Sequence, residues 1–184
     1  LAVASFFRAC YLSYLSKPSS DRILYRIIRK HKVQRILELG VGTGRRAVRM
    51  IEMAQRQAPD RQIRYTGTDL FESRSAADGP GVTLKLAYQM LGATGARIHL
   101  VPGDPFSALS RTANGLMGTH LVVISAREDP QSVDQAWFYL PRVLHARSRV
   151  VVEGRRPGGG TTMRVLNASE IERLTRAKAV RRAA

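Results

Sequence analysis

The sequence predicts an α/β fold: a three-layer sandwich in which a mostly parallel sheet carries helices on both faces and two further helices precede it. Three observations lead there. From Val33 onward, short β-like runs alternate with helical stretches, the pattern of βαβ units joined by right-handed crossovers. The first of those strands runs straight into a glycine-rich turn, Leu39-Gly40-Val41-Gly42-Thr43-Gly44, and on into a helix. The chain of 184 residues, 44% hydrophobic and 24% charged, is long enough to bury one core and too short for a second. A single domain over 1–184 follows, with N-terminal helices over 1–31, a sheet core over 33–153, and a loop, a further strand and a C-terminal helix over 154–184.

The elements follow in order. Val3, Phe6, Phe7, Cys10, Tyr11 and Tyr14 recur at helical spacing, so a first helix is expected to bury that stripe. Lys17-Pro18-Ser19-Ser20 breaks the pattern, and Ser20 is placed to cap a second helix with Ile23, Leu24, Ile27 and Ile28 on one face. Strands are expected at 35–39, 63–68, 97–101, 120–124 and 149–152, and helices at 45–57, 82–91, 105–110 and 132–145. The segment from Gly154 to Gly160 reads as a flexible loop. A further strand over 161–166 then leads to a helix capped by Asn167 or Ser169 and anchored by Ile171 and Leu174.

Composition narrows the function classes. A single cysteine, Cys10, can form neither an internal disulfide nor a paired-thiolate zinc site, so a cytoplasmic protein is expected. No apolar run reaches the roughly 20 residues of a membrane span, and Arg8 interrupts the apolar stretch over 1–15, which reads as structure rather than a targeting signal. The net charge of +16 points to a polyanionic partner such as nucleic acid, or to arginines spread over a solvated surface. Arginine supplies 25 of the 30 basic residues. The C-terminal Arg173, Arg176, Lys178, Arg181 and Arg182 are the best candidates for a nucleic-acid contact.

Glycines after a parallel strand permit positive φ and a close backbone approach to a ligand, and the helix behind them offers free N–H groups to a polar moiety. Three glycines at alternate positions after an acidic residue, Glu38, Gly40, Gly42 and Gly44, resemble the first motif of class I S-adenosylmethionine-dependent methyltransferases, a Rossmann-like family. A dinucleotide site would want glycine at position 45, where Arg45 stands. The second strand ends in Asp69-Leu70, where a carboxylate can accept both ribose hydroxyls; Glu72 is an alternative acceptor, and a turn aspartate is the plainer reading of Asp69. The third ends in Gly103-Asp104-Pro105. The resemblance implies that Asp104 accepts from the adenine amino group, while Pro105, lacking an N–H, cannot make the neighbouring contact, which either weakens adenine recognition or shifts it to Phe106, whose ring would flank the base. Asp104 also reads as the N-cap of a helix with Pro105 at its first position.

The resemblance thins at the fourth strand. Relatives of the O-methyltransferase branch carry acidic residues near 120 and 125, the latter a metal ligand in cation-dependent members; His120 and Ser125 stand there, so no metal is expected. Glu128 and Asp129 read as residues of a solvated loop or a helix start. His120 has the chemistry of a general base, but lies at the strand end opposite the cofactor. The implied activity is methyl transfer from S-adenosylmethionine, without metal, to a small-molecule or macromolecular acceptor. The alternative is a non-catalytic module of the same fold that binds RNA or another polyanion. The two N-terminal helices, with Tyr11, Tyr14 and Tyr25, would form a lid, cover the sheet, or pair two copies into a homodimer.

Overall fold

The computed structural model describes the backbone of residues 2–183 and the side chains of residues 6–176. Two helices come first, α1 (Ala2–Cys10), continued by a wide π-type turn (Tyr11–Leu15), and α2 (Arg22–His31). The strands are β1 (Arg35–Leu39), β2 (Arg64–Asp69), β3 (Arg97–Pro102), β4 (Leu121–Ile124), β5 (Arg149–Arg155) and β6 (Thr161–Val165). Among them run α3 (Arg45–Gln57), α4 (Leu84–Gly92), α5 (Pro105–Thr112), α6 (Pro130–Ala136) and α7 (Leu140–Val143), and α8 (Ala168–Ala183) ends the described chain.

The sheet order is β3-β2-β1-β4-β5-β6, parallel throughout except for β6, which pairs antiparallel with β5. Alternate strand residues feed two hydrophobic layers. Ile36, Tyr65, Leu121, Val123 and Val151 pack beneath α2, α3 and α4, while Leu37, Leu39, Val122, Ile124 and Val150 pack against α5, α6 and α7. Because β1 continues to β2 on one side and β4 lies on the other, the order reverses between β1 and β4, and a crevice opens above their carboxyl ends.

Four expectations need correction. The aromatic stripe of the first helix faces outward, with Phe6 64% and Phe7 66% exposed and Tyr11 and Tyr14 also exposed; the buried face is Ala9, Leu12 and Ser13. Small residues let this segment lie close to its neighbours, which bulky rings would prevent. Val3 lies outside the residues whose side chains are described. Ser20 does not cap α2: it sits in a 3₁₀ turn (Ser19–Asp21) and hydrogen-bonds Thr161 across to β6. The helix expected over 132–145 divides into α6 and α7, because Pro141 lacks the N–H that would carry a helix through it. Gly154 and Arg155 are strand rather than loop, since β6 pairs with them.

Tyr25 is fully buried in α2 and helps that helix cover the sheet. Among the described residues, no helix is long and apolar enough to cross a membrane. Lys178, Arg181 and Arg182 of the basic C-terminal stretch lie outside the described side chains.

Candidate functional site

At the head of β1, Gly40, Gly42 and Gly44 have φ of 93°, 58° and 74°, a region that L side chains enter only at a cost. This turn therefore needs glycine for conformation at all three positions. Close approach is a separate matter, and at Gly40 the neighbour is the protein itself: a Cβ there would lie 2.6 Å from Glu128 Oε1 and 2.7 Å from the Ser125 Cβ. The surface that the missing side chain opens is covered by the loop after β4.

Asp69, at the end of β2, faces this turn and is 1% exposed. One carboxylate oxygen accepts the Gly42 N–H at 2.7 Å, and the other accepts the Phe71 N–H at 3.1 Å. Arg74 completes the set with Nε and Nη2, each at 2.7 Å. Asp69 thus clamps the glycine turn to β2, and the oxygens expected to meet a ribose are held here by protein donors. Leu70 follows, half-buried. Phe71 then takes φ of 48° while buried, an uncommon conformation for a non-glycine residue that tends to occur where structure around it over-determines the backbone. Glu72 accepts the Leu84 N–H at 2.8 Å and so secures the start of α4.

Glu38 lies beneath the turn, fully buried. It accepts from Arg46 Nε at 2.6 Å and from the Tyr65 hydroxyl at 2.5 Å. Burial pushes its carboxyl up, and the Arg46 charge and these bonds pull it back. Arg46 also reaches Glu153 at 3.1 Å, and Glu153 in turn accepts from Ser125 Oγ and the Ala126 N–H. Burial raises the Glu153 carboxyl, but Arg46 and these donors outweigh it and hold it below its usual range. The result is one buried network joining β1, α3, the β4 loop and β5.

Asp104 caps α5, as its sequence neighbourhood predicts. Its oxygens accept from the Phe106 and Ser107 N–H groups at 3.0 and 3.2 Å and from the hydroxyls of Ser107 and Ser132. Burial works against its charge, yet these donors hold the carboxyl below its usual range. The Phe106 N–H is taken by Asp104 and Ser132, and its ring stacks at a tilt on Tyr139, 5.7 Å away, inside the second hydrophobic layer rather than over the crevice. His120 sits at the far edge of the sheet, where Nδ1 accepts the Gln34 and Arg35 N–H groups. Burial, then His145 and nearby arginines, lower its pKa.

Glu128 departs from the solvated loop expected of it; Asp129 alone takes the helix-start role, capping α6 through the Ser132 N–H. The Glu128 side chain is half-buried in the crevice and, among the described residues, accepts no hydrogen bond. Burial first, then the Asp69 charge, push its carboxyl up to about 7. Beside it, a cavity of about 230 Å³ lies between the 3₁₀ turn before α2 and the glycine turn, lined among others by Lys17, Asp21, Gly42, Thr43 and Arg45. Asp21 is buried, its carboxylate makes no hydrogen bond among the described residues, and burial raises it to about 6. Among the described residues, no group of three or more His, Cys, Asp or Glu side chains is arranged to hold a metal ion.

Arg46, Arg74, Glu128, Glu153 and Asp21 were not legible as site residues. One signal was present for Arg46. Arginines in the first turn of a helix oppose its dipole, so Arg45-Arg46 at the start of α3 called for acidic partners nearby.

The crevice and its glycine turn belong to a fold seen in solved structures. No protein-family model matches the sequence, and no curated protein matches it. The cofactor-bound Rv0187 from MTB is 17% identical with a TM-score of 0.53, covering 82% of this chain and 63% of its own. The O-methyltransferase TomG from Streptomyces achromogenes, solved in complex with SAM, is 16% identical with a TM-score of 0.54, covering 81% of this chain and 64% of its own. A candidate O-methyltransferase from Klebsiella pneumoniae is 15% identical with a TM-score of 0.50, covering all of this chain and 77% of its own. The chain spans less than two thirds of the length of the first two. At these identities the likeness establishes the architecture: a mostly parallel Rossmann-like α/β sheet shared with proteins of this kind.

Proposed function

We propose that the chain is an S-adenosylmethionine-dependent methyltransferase domain that acts on an oxygen nucleophile without a divalent metal. The observation that carries this reading is the cavity beside the glycine turn, which sets the buried Asp21 carboxylate among the cations Lys17, Arg45, Arg46, Arg49 and Arg127, with Glu153 also on its wall. A carboxylate among several cations offers a partner to each of the two charges of an amino-acid end. Two of the structural neighbours, one bound to a cofactor and one to SAM, support the same cofactor here.

Asp21 would receive the ammonium group and Arg45 the carboxylate. Asp69 and Leu70 would border the ribose and Asp104 the adenine side, with Gly40, Gly42 and Gly44 shaping the turn and Glu38 holding it from below. S-adenosylmethionine, when bound, supplies a methyl group already activated on a sulfonium, so the protein's work is to align, shield and remove a proton. Arg74 must release Asp69, and the Glu128 side chain must leave the face of Gly40, for the ligand to lie along the turn. Glu128, once off the face of Gly40, is the carboxylate at hand to take the proton from a hydroxyl acceptor. Ser125 stands where cation-dependent relatives carry a metal-binding carboxylate, which supports metal-free transfer.

Calorimetric titration with S-adenosylmethionine and S-adenosylhomocysteine tests the reading. Binding is expected, weakened by Asp21→Asn and by Asp69→Ala; millimolar ligand with neither heat nor thermal shift would overturn it. Transfer to hydroxyl-bearing acceptors should survive EDTA and be lost in Glu128→Gln, while the cofactor affinity of that variant persists. Loss of transfer with EDTA defeats the metal-free assignment.

A further inference from the structure

At the edge of the sheet opposite the glycine turn, the first residues of β1, β2 and β3 are all arginine. Arg35 is level with Arg64, and Arg64 with Arg97, on neighbouring parallel strands. In-register residues share a face, and adjacent strands lie about 4.8 Å apart, so three guanidinium groups arise within about 10 Å of sheet. All three line one hollow of about 350 Å³, together with His99, Thr66 and Thr119. No carboxylate lines it.

Side-by-side like charges on paired strands destabilise a sheet. At the other end of the strands, Arg46 and Arg74 answer carboxylates. Here there is no such answer. Among the described residues, the Arg64 and Arg97 side chains form no hydrogen bond or ion pair, and the Arg35 guanidinium donates only to the Met117 carbonyl, at 2.6 Å. That bond fixes the segment over 113–119 as a wall of the hollow. The Thr66 hydroxyl, two residues beyond Arg64 on the same face, has no partner either and adds a donor at the floor. A set of cations open to solvent at Arg64, Arg97 and His99, with neutral donors beside them and no internal counter-charge, is presented to an external anion. Guanidinium groups bind phosphate oxygens in pairs, with a geometry that an isolated charge cannot match.

We infer that this hollow binds a compact anion of two or three linked phosphates, held by Arg35, Arg64 and Arg97 with His99 and Thr66 as further donors. The size of the hollow and the convergence of three side chains on it favour a short oligophosphate over an extended phosphodiester backbone. The site lies at the other end of the strands from the proposed cofactor crevice, so it stands or falls separately from that assignment.

The test is isothermal titration of the full chain with sodium tripolyphosphate. Binding at one site per chain is expected, weakened by about tenfold or more in Arg64→Gln/Arg97→Gln. It should be unchanged in Arg155→Gln/Arg156→Gln, which removes two arginines from the distant β5–β6 hairpin. Because the first pair of substitutions relieves repulsion, its thermal midpoint should match or exceed that of the wild type, which excludes misfolding as the cause of lost binding. Three results overturn the inference: no binding of tripolyphosphate, equal weakening in both double variants, or binding of a single-stranded oligonucleotide through Arg64 and Arg97 when tripolyphosphate does not bind.

Discussion

Glu128 illustrates how one side chain in the crevice carries a measurable signature. Burial and the Asp69 charge raise its carboxyl from 4.5 to about 7 on folding, so between those values the folded chain holds a proton that the unfolded chain has released. Stability contributed by this residue therefore falls as pH rises through that window. Glu128→Gln removes the slope. Urea unfolding should find variant and wild type alike near pH 4.5, and the variant more stable by roughly 2 kcal/mol at pH 8, a linkage value reduced for partial exposure; a variant less stable at pH 8 contradicts the placement. Glu38 makes the opposite case. Its removal in Glu38→Ala leaves Arg46 without its closest carboxylate and the Tyr65 hydroxyl without an acceptor, which should cost about 3–5 kcal/mol in the same measurement. The acidic residue before the glycines was legible as part of a motif; its burial under the turn was not, because that depends on Arg46 and Tyr65 arriving from α3 and β2.

At the scale of elements, boundaries set by local chemistry were readable and those set by pairing were not. β1 and α3 begin and end where periodicity and the glycine turn place them, and Asp104-Pro105 opens α5 as a cap and first-turn proline should. Asp104→Ala should lower stability by about 0.5–2 kcal/mol through loss of the cap, with the Ser132 bond to α6 lost as well. Asp104→Asn should recover most of that, since asparagine caps comparably; equal losses in thermal unfolding would mean that the negative charge, not the cap, is what α5 requires. By contrast, the outward-facing rings of α1 share the spacing of a buried stripe. Periodicity identifies a helix and its faces, but which face meets the protein is decided by the neighbour. Here Ala9 and Leu12 meet the protein and the rings do not.

Across the described residues, the two ends of the sheet differ in whether charge is answered, with Arg46 and Arg74 meeting carboxylates at one end only. Asp21, Glu38, Asp69, Asp104, Glu128 and Glu153 gather about the carboxyl ends of the strands, while Arg35, Arg64 and Arg97 crowd the amino edge without carboxylate partners. With a net charge of +16, self-repulsion opposes the compact state. Raising ionic strength from about 20 mM to about 200 mM shortens the Debye length to under about 10 Å, so the thermal midpoint should rise by several degrees. A midpoint that falls would mean that attractive pairs such as Arg74 with Asp69 outweigh the excess positive charge.

What the sequence determined alone is the set of properties encoded by neighbours along the chain: the alternation of strand and helix, the parallel sheet that short crossovers impose, the glycine turn, and the cap at Asp104. These depend on backbone stereochemistry and side-chain period, which act over a few residues. Only the tertiary structure decided which groups share a space. It brought Arg74 onto Asp69, Glu128 over Gly40, Glu153 against Arg46, and three arginines into one register. Those juxtapositions arise from strand order and from loops that cross the sheet's two edges, and no interval in the sequence specifies them.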